Sequence, residues 1–206
     1  MRSFARLATG AALVAFLLSL PTWSQEVRVG AAAPPFTATD SRGQTESLAQ
    51  YRGKYVVLEW HNQGCPYTRK HYVSGNMQSL QKEWTGKGVV WFTVISSAPG
   101  EQGYVTPAQE NAYLAQVHAD PTAVLMDPQG KLGRLYNAKT TPQMIVIDTN
   151  GKVIYDGAID DRPTPDPEDV KGANNYVTDA LTEAMAGKRV STPFTRPYGC
   201  GVKYPD

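Results

Sequence analysis

The chain has 206 residues, 41% of them hydrophobic, with 20 basic and 19 acidic side chains and a formal net charge of +1. That balance excludes a disordered or fibrous chain, and it gives no electrostatic footprint for nucleic acid or an anionic membrane surface. Only two cysteines are present, Cys65 and Cys200.

Residues 1–24 read as a secretory signal. Arg2 and Arg6 precede an apolar stretch over 7–20, and Thr22 and Ser24 are small residues at the positions a signal peptidase reads. The stretch is short for a membrane span and is interrupted by Pro21. Cleavage removes two arginines and leaves a near-neutral chain, residues 25–206, of a size suited to one domain with a sizeable core. Such a chain is expected to be exported, periplasmic or secreted, without stable membrane association once cleaved. An oxidising compartment is one where two cysteines can pair.

Ala33-Pro34-Pro35-Phe36 leads into a short alternating segment at 36–39, followed by a turn at 40–43. After the Arg52-Gly53-Lys54 turn, Val56, Val57, Leu58 and Trp60 form an apolar run typical of a buried strand. Asn62, Gln63 and Gly64 make a turn, and Cys65 follows it. From Pro66 onwards the spacing predicts one helix to Trp84, with Tyr72, Met77, Leu80 and Trp84 sharing a face. Pro66 suits the first helical position, where its missing N–H costs nothing. Cys65 thus stands at a helix N-terminus, where unpaired N–H groups stabilise a thiolate. In that setting a cysteine pKa falls from about 8.5 into a range of roughly 3.5 to 7.5. Arg69 and Lys70 add positive charge one turn on. Read alone, Cys65 could equally be a small buried hydrophobe or half of an inert disulfide.

Residues 88–95 predict a second buried strand, and 96–103 a loop. A helix is expected from Pro107 to His118 with Thr106 as N-cap, then a short strand at 123–126, a turn at 127–130 and a short helix at 132–136. Thr141-Pro142 precedes a strand at 143–148. Asn150-Gly151 joins it to a strand at 152–155, a strong hairpin signal. The acidic stretch 156–169 lacks the spacing of a calcium loop, and its prolines predict a stiff, solvated segment. A final helix is expected over 171–188, with Tyr176, Ala180, Leu181 and Ala184 on one face. The order of strands and helices predicts an α/β sandwich with parallel strands joined through helices.

The strand, Trp60, the turn, Cys65-Pro66 and the helix together resemble the thioredoxin-like superfamily. Gly53-Lys54-Tyr55-Val56-Val57-Leu58 and Ala33-Pro34-Pro35-Phe36 are similar to its peroxiredoxin-like branch, the alkyl hydroperoxide reductase C/thiol-specific antioxidant (redoxin) group. The resemblance runs from about Val29 to Tyr204. It implies a thioredoxin-like fold, a central mixed sheet flanked by helices, with an N-terminal β-hairpin and a C-terminal tail over 189–206 that carries Cys200. It also implies that Pro142 is cis and faces the reactive sulfur, while the backbone of Thr141 pairs with an extended substrate. Asn62 and Tyr67 are placed beside that substrate ledge.

Two departures narrow the chemistry. The second cysteine of a thioredoxin Cys-x-x-Cys motif is here Thr68, which can donate to a Cys65 thiolate from the same helical turn. The threonine and proline upstream of a peroxiredoxin cysteine are here Asn62 and Leu58, so the loop that polarises a peroxide is not carried over. Cys200, 135 residues from Cys65 and flanked by Gly199 and Gly201, reads as a resolving thiol, a structural staple or an unpaired thiol.

His61 is expected on the rim of the site. Cys65, His61 and His71 do not have metal-ligand spacing, because six residues place His71 on another side of the helix. No organic cofactor or metal is implied. The expected activity is thiol–disulfide exchange with an external redox partner protein. The other readings are a peroxidase proper acting on peroxide, and a non-enzymatic module with an inert Cys65–Cys200 disulfide.

Overall fold

The computed structural model describes residues 27–206, so the signal segment read at 1–24 lies outside the described residues. In chain order the elements are β1 (Thr37–Asp40), β2 (Thr45–Ser47), β3 (Val56–Trp60), α1 (Pro66–Val73), α2 (Asn76–Gly86), β4 (Val90–Ile95), α3 (Pro107–Val117) and β5 (Ala123–Met126). There follow α4 (Lys131–Leu135), β6 (Thr140–Thr141), β7 (Gln143–Ile147), β8 (Val153–Gly157), α5 (Tyr176–Met185) and β9 (Cys200–Gly201).

β3 is buried along its whole length, and it lies parallel to β4 and antiparallel to β7. Around it a seven-stranded mixed sheet runs in the order β2-β1-β5-β4-β3-β7-β8. Side chains alternate across this sheet. Val57, Trp91 and Val146 pack under α2 and α5 with Met77, Trp84 and Leu181. Leu58, Trp60, Phe92 and Ile145 fill the opposite face with Phe36 and Tyr136. This is the expected thioredoxin-like α/β fold. β1 and β2 form the N-terminal hairpin, and β7 and β8 the hairpin signalled by Asn150-Gly151. No helix among the described residues is long and apolar enough to cross a membrane.

Three expectations are corrected. The helix expected as one piece from Pro66 to Trp84 breaks into α1 and α2, because Gly75 takes a left-handed conformation (φ 75°) that ends the first and starts the second. Tyr72, Met77, Leu80 and Trp84 are still all buried. The last helix starts at Tyr176 rather than near residue 171, where Asn175 caps it by accepting the Thr178 N–H at 3.0 Å. The stretch 156–169 is not wholly solvated, since Asp160 is buried.

Leu58 is fully buried at the middle of β3, in register with Phe92 and Ile145. Leu58→Ala should therefore cost about 2–5 kcal/mol of unfolding free energy. Urea titration would show it as a lower midpoint with an unchanged slope, and a loss under ~1 kcal/mol would contradict this packing.

Candidate active site

Cys65 caps α1: its own N–H donates to the Asn62 carbonyl at 2.9 Å, and its carbonyl accepts the Arg69 N–H at 2.9 Å. Asn62 shapes the turn that delivers it. The Asn62 side chain accepts the Gly64 N–H at 2.8 Å and donates to the Gln102 carbonyl at 3.3 Å. Both ends of its amide are thus occupied by the loop. Pro66 follows at the first helical position, as expected.

The Thr141–Pro142 bond is cis, as the resemblance implies, and it brings Thr141 to Cys65. The Cys65 thiol donates to the Thr141 carbonyl at 3.0 Å. The outer side of that ledge is not free. The C-terminal tail returns across the molecule, and β9 pairs antiparallel with β6, setting Cys200 opposite Thr141 and Gly201 opposite Thr140. Cys65 is fully buried (0% exposed) in consequence, while Cys200 is half-buried, and both are free thiols. These two-residue strands pair across 59 residues of sequence and have no local signature. The chain pattern gave no hint of them.

The two thiols are electrostatically unequal. Burial pushes the Cys65 thiol up, but the Cys200 side chain, the Thr68 backbone N–H, the Cys200 backbone N–H and the Thr141 hydroxyl favour its thiolate and hold the pKa below the usual thiol value. The bond to the Thr141 carbonyl works the other way, since only the protonated thiol can make it. For Cys200, burial, its hydrogen bond to Cys65 and the charge of Cys65 push the pKa up to about 11. The pair therefore loses its first proton mainly from Cys65.

Thr68 and Tyr67 occupy the first turn of α1. The Thr68 hydroxyl is buried and has no hydrogen-bond partner, so the contribution of this residue to Cys65 comes through its backbone. Tyr67 is half-buried and lies edge-on against Tyr198 of the tail, ring centroids 5.9 Å apart. The cations expected to serve Cys65 are placed otherwise. Arg69 is exposed, and Lys70 is buried with its ammonium turned to Asp160, 3.5 Å away.

His61 is not on the rim. It is fully buried, its Nδ1 3.7 Å from Glu59 Oε1 and its Nε2 3.6 Å from Glu110 Oε1. Glu59 accepts from Tyr72 Oη at 2.7 Å, Trp91 Nε1 at 2.8 Å, Thr93 Oγ1 at 3.2 Å and Gln81 Nε2 at 3.3 Å. Burial resists its charge, but His61, Trp91 and Tyr72 outweigh it and lower its pKa. Burial likewise opposes the His61 charge, and Glu59, Glu110 and Cys65 together raise its pKa above the usual imidazole value. Burial pushes Glu110 up. A glutamate inside the apolar run of β3 was the one signal in the chain that could have found this cluster.

A cysteine at a strand–helix junction, faced by a cis-proline loop, is an arrangement suited to thiol redox chemistry on a thioredoxin-like fold. The comparisons agree. Residues 29–156 match the model of the AhpC/TSA family, which spans more than half of the chain, and the chain belongs to that family. It is 28% identical over 128 residues to the thiol-disulfide oxidoreductase ResA of Geobacillus kaustophilus, covering 62% of this chain and 67% of that one. Among solved structures it is similar in fold to a hypothetical protein from Sinorhizobium meliloti 1021 (TM-score 0.75, 19% identity, 88% of this chain and 97% of that one). It is also similar to the thioredoxin domain of a thiol-disulfide oxidoreductase from Bacteroides vulgatus (TM-score 0.51, 19% identity, 71% and 97%). The protein is an oxidoreductase with a redox function in this family. Cys200 and the tail lie outside the stretch matched by the family model.

Because Cys200 supplies both a thiol and an N–H to Cys65, removing the thiol should raise the Cys65 pKa. In Cys200→Ala the Cys65 thiolate, followed by ultraviolet absorbance during a pH titration, should appear with a higher midpoint than in the parent. A midpoint that stays put or falls would show that Cys200 does not stabilise that thiolate.

Proposed function

We propose that the protein is an exported thiol–disulfide exchange enzyme whose redox couple is Cys65 and Cys200. The observation that carries this reading is the pairing of β9 with β6, which sets Cys200 directly at Cys65 with both sulfurs free.

The unequal pKa values give the order of events. Cys65, the more acidic thiol, attacks one sulfur of a partner protein's disulfide. A Cys65–partner bond forms, and the partner's other sulfur leaves as a thiolate. Cys65 is then neutral, so the charge that held the Cys200 proton is gone and the Cys200 pKa falls back from about 11. The departed partner thiolate takes that proton. The Cys200 thiolate then attacks the Cys65 sulfur, forming Cys65–Cys200 and releasing the partner's second thiolate. Two electrons pass from the pair of cysteines to the partner, whose disulfide becomes one thiol and one thiolate. An external dithiol protein resets the couple by the reverse exchange.

Thr68 and Cys200 stabilise the Cys65 thiolate, while Thr141 and Pro142 form the ledge at which the partner's backbone is received, with Tyr67 at its edge. For Asn62 the support is weaker, because its side chain is taken up by Gly64 and Gln102 rather than turned to the sulfur. That also leaves peroxide without the polarising donor a peroxidase needs. Exchange is therefore favoured over peroxide reduction. Residues 1–24 serve as the export signal, the remainder forms one domain with 189–206 as its tail, and the partners are redox proteins outside the cytoplasm.

The test is thiol counting across a dithiothreitol redox series. A reversible Cys65–Cys200 couple should appear with a potential above about −270 mV, within the range of exchange proteins, because structural disulfides lie below about −300 mV. Cys65→Ser should abolish disulfide exchange with a model substrate. Full turnover by that variant, or a disulfide that resists reduction to the structural level, would overturn the reading.

A further inference from the structure

The tail reaches Cys65 past a buried polar cluster that the thiol chemistry leaves unused. Lys70, on α1, is only 1% exposed. Its Nζ donates to the Arg162 carbonyl at 2.6 Å and to Tyr198 Oη at 3.2 Å, and stands 3.5 Å from Asp160 Oδ2. Tyr198 Oη donates to Asp160 Oδ1. His71 Nδ1 faces the Asn76 amide at 2.9 Å, which leaves its Nε2 to donate to Tyr198 Oη at 3.3 Å. A phenol offers one proton and two lone pairs, and here all three are engaged. A buried lysine and aspartate are costly unless their bonds are complete. The tail, two residues before Cys200, supplies one of those bonds to each: Tyr198 Oη accepts from Lys70 and donates to Asp160 Oδ1, while Asp160 Oδ2 faces the ammonium without a hydrogen bond.

The link between Tyr198 and Cys200 is also fixed. Gly199 has φ 132°, and a Cβ there would lie 2.0 Å from the Thr141 carbonyl oxygen. Any side chain would lift the tail off the ledge. Gly201 is different, because a Cβ there would come no closer than 4.0 Å to Lys139 O. Of the two glycines beside Cys200, it is Gly199 that geometry requires, and its role is close approach rather than freedom of movement.

We propose that Tyr198 is a positioning residue for the resolving thiol. Lys70 and His71, on the helix that Cys65 caps, form a socket with Asp160 from the loop after β8, the tyrosine plugs it, and Gly199 transmits that fixed point to Cys200. The socket thereby sets how often the Cys200 sulfur meets a Cys65 sulfur held in a mixed disulfide. It also holds the cover over Cys65 when the thiols are reduced. This rests on the reading of Cys65 and Cys200 as a couple. The phenol itself takes part in no bond making or breaking.

DTNB, a chromogenic aromatic disulfide, separates the two duties. Attack by Cys65 releases one nitrothiolate and leaves the other on Cys65. Attack by Cys200 on the Cys65 sulfur forms the internal disulfide and releases the second. In Tyr198→Ala, assayed above the Cys65 titration midpoint of both proteins so that a displaced Cys200 does not change the thiolate fraction, the first release should be as fast as in the parent or faster, since the cover is loosened. The second should slow by about ten- to a hundredfold, as misplacing a reacting group does. Tyr198→Phe keeps the ring and loses the three hydrogen bonds, so it should show the same pair of changes to a smaller degree. If Tyr198→Ala does not fold, that variant decides. Release of both equivalents within twofold of the parent in the folded variant would overturn the proposal. A parent protein that releases the first equivalent and never forms the internal disulfide would instead sink the Cys65–Cys200 couple itself.

Discussion

A thiolate formed at Cys65, which has no exposure to water, must be solvated by the protein, and the groups that would do so come from three parts of the fold. A buried charge without donors would revert to the neutral form. Three elements distant in sequence supply the donors: the first turn of α1 through the Thr68 N–H, the cis-proline loop through the Thr141 hydroxyl, and the tail through Cys200. Only the first is guaranteed by the local motif. The other two depend on β7 lying against β3, which positions the loop, and on β9 pairing with β6, which positions the tail. The sheet order thus bears directly on the acidity of one sulfur.

Behind the sulfur, the helix-covered face of the sheet holds charge of its own. Glu59 sits in the middle of β3 with four side-chain donors around it, and His61 lies between it and Glu110. Glu59 is held toward its carboxylate, His61 toward its imidazolium, and Glu110 toward its neutral acid. The cluster thus tends to electrical balance, which is what makes its burial tolerable. Negative charge on Cys65 contributes to raising the His61 pKa, so the core polar network and the candidate site are electrostatically linked.

Where function depends on contiguous sequence, it could be read. The apolar run of β3, the turn, Cys65-Pro66 and the amphipathic helix are neighbours along the chain, and the thioredoxin-like pattern follows from them. Thr141-Pro142 and the Asn150-Gly151 hairpin were legible for the same reason. What could not be read was set by tertiary pairing. Lys70, His71 and Asp160 have the identities of surface residues, and nothing near them in sequence says that a tyrosine from the far end of the chain will cover them. His61 looked like a rim residue because Glu110, which helps to bury its ring, belongs to α3. The break at Gly75 was a local signal outweighed by a persistent apolar face. Gly199 and Gly201 read alike in sequence, and only the distance to Thr141 tells them apart.

The burial of Cys65 under its own tail has a mechanical consequence for exchange. On the proposed reading, a partner's sulfur must occupy the space that Cys200 holds, and Cys200 must return for the second step. A tail that detached along its whole length would lose the closeness that makes the return fast. The attachments are distributed to avoid this. On one side Thr195 is tied to Tyr155 and to the Ala158 N–H, at 2.6 and 2.9 Å. On the other, Tyr204 donates to the Ala138 carbonyl at 2.8 Å under the Arg134 guanidinium, and the Ala98 N–H donates to Lys203 O at 2.8 Å. Between them the ladder to the ledge is only two residues long. The middle can therefore lift while both ends stay fixed. On the proposed reading, Tyr198 stands at the boundary between the part that stays and the part that moves. Its bonds to Lys70, His71 and Asp160 keep that boundary fixed while the segment beyond it opens and returns.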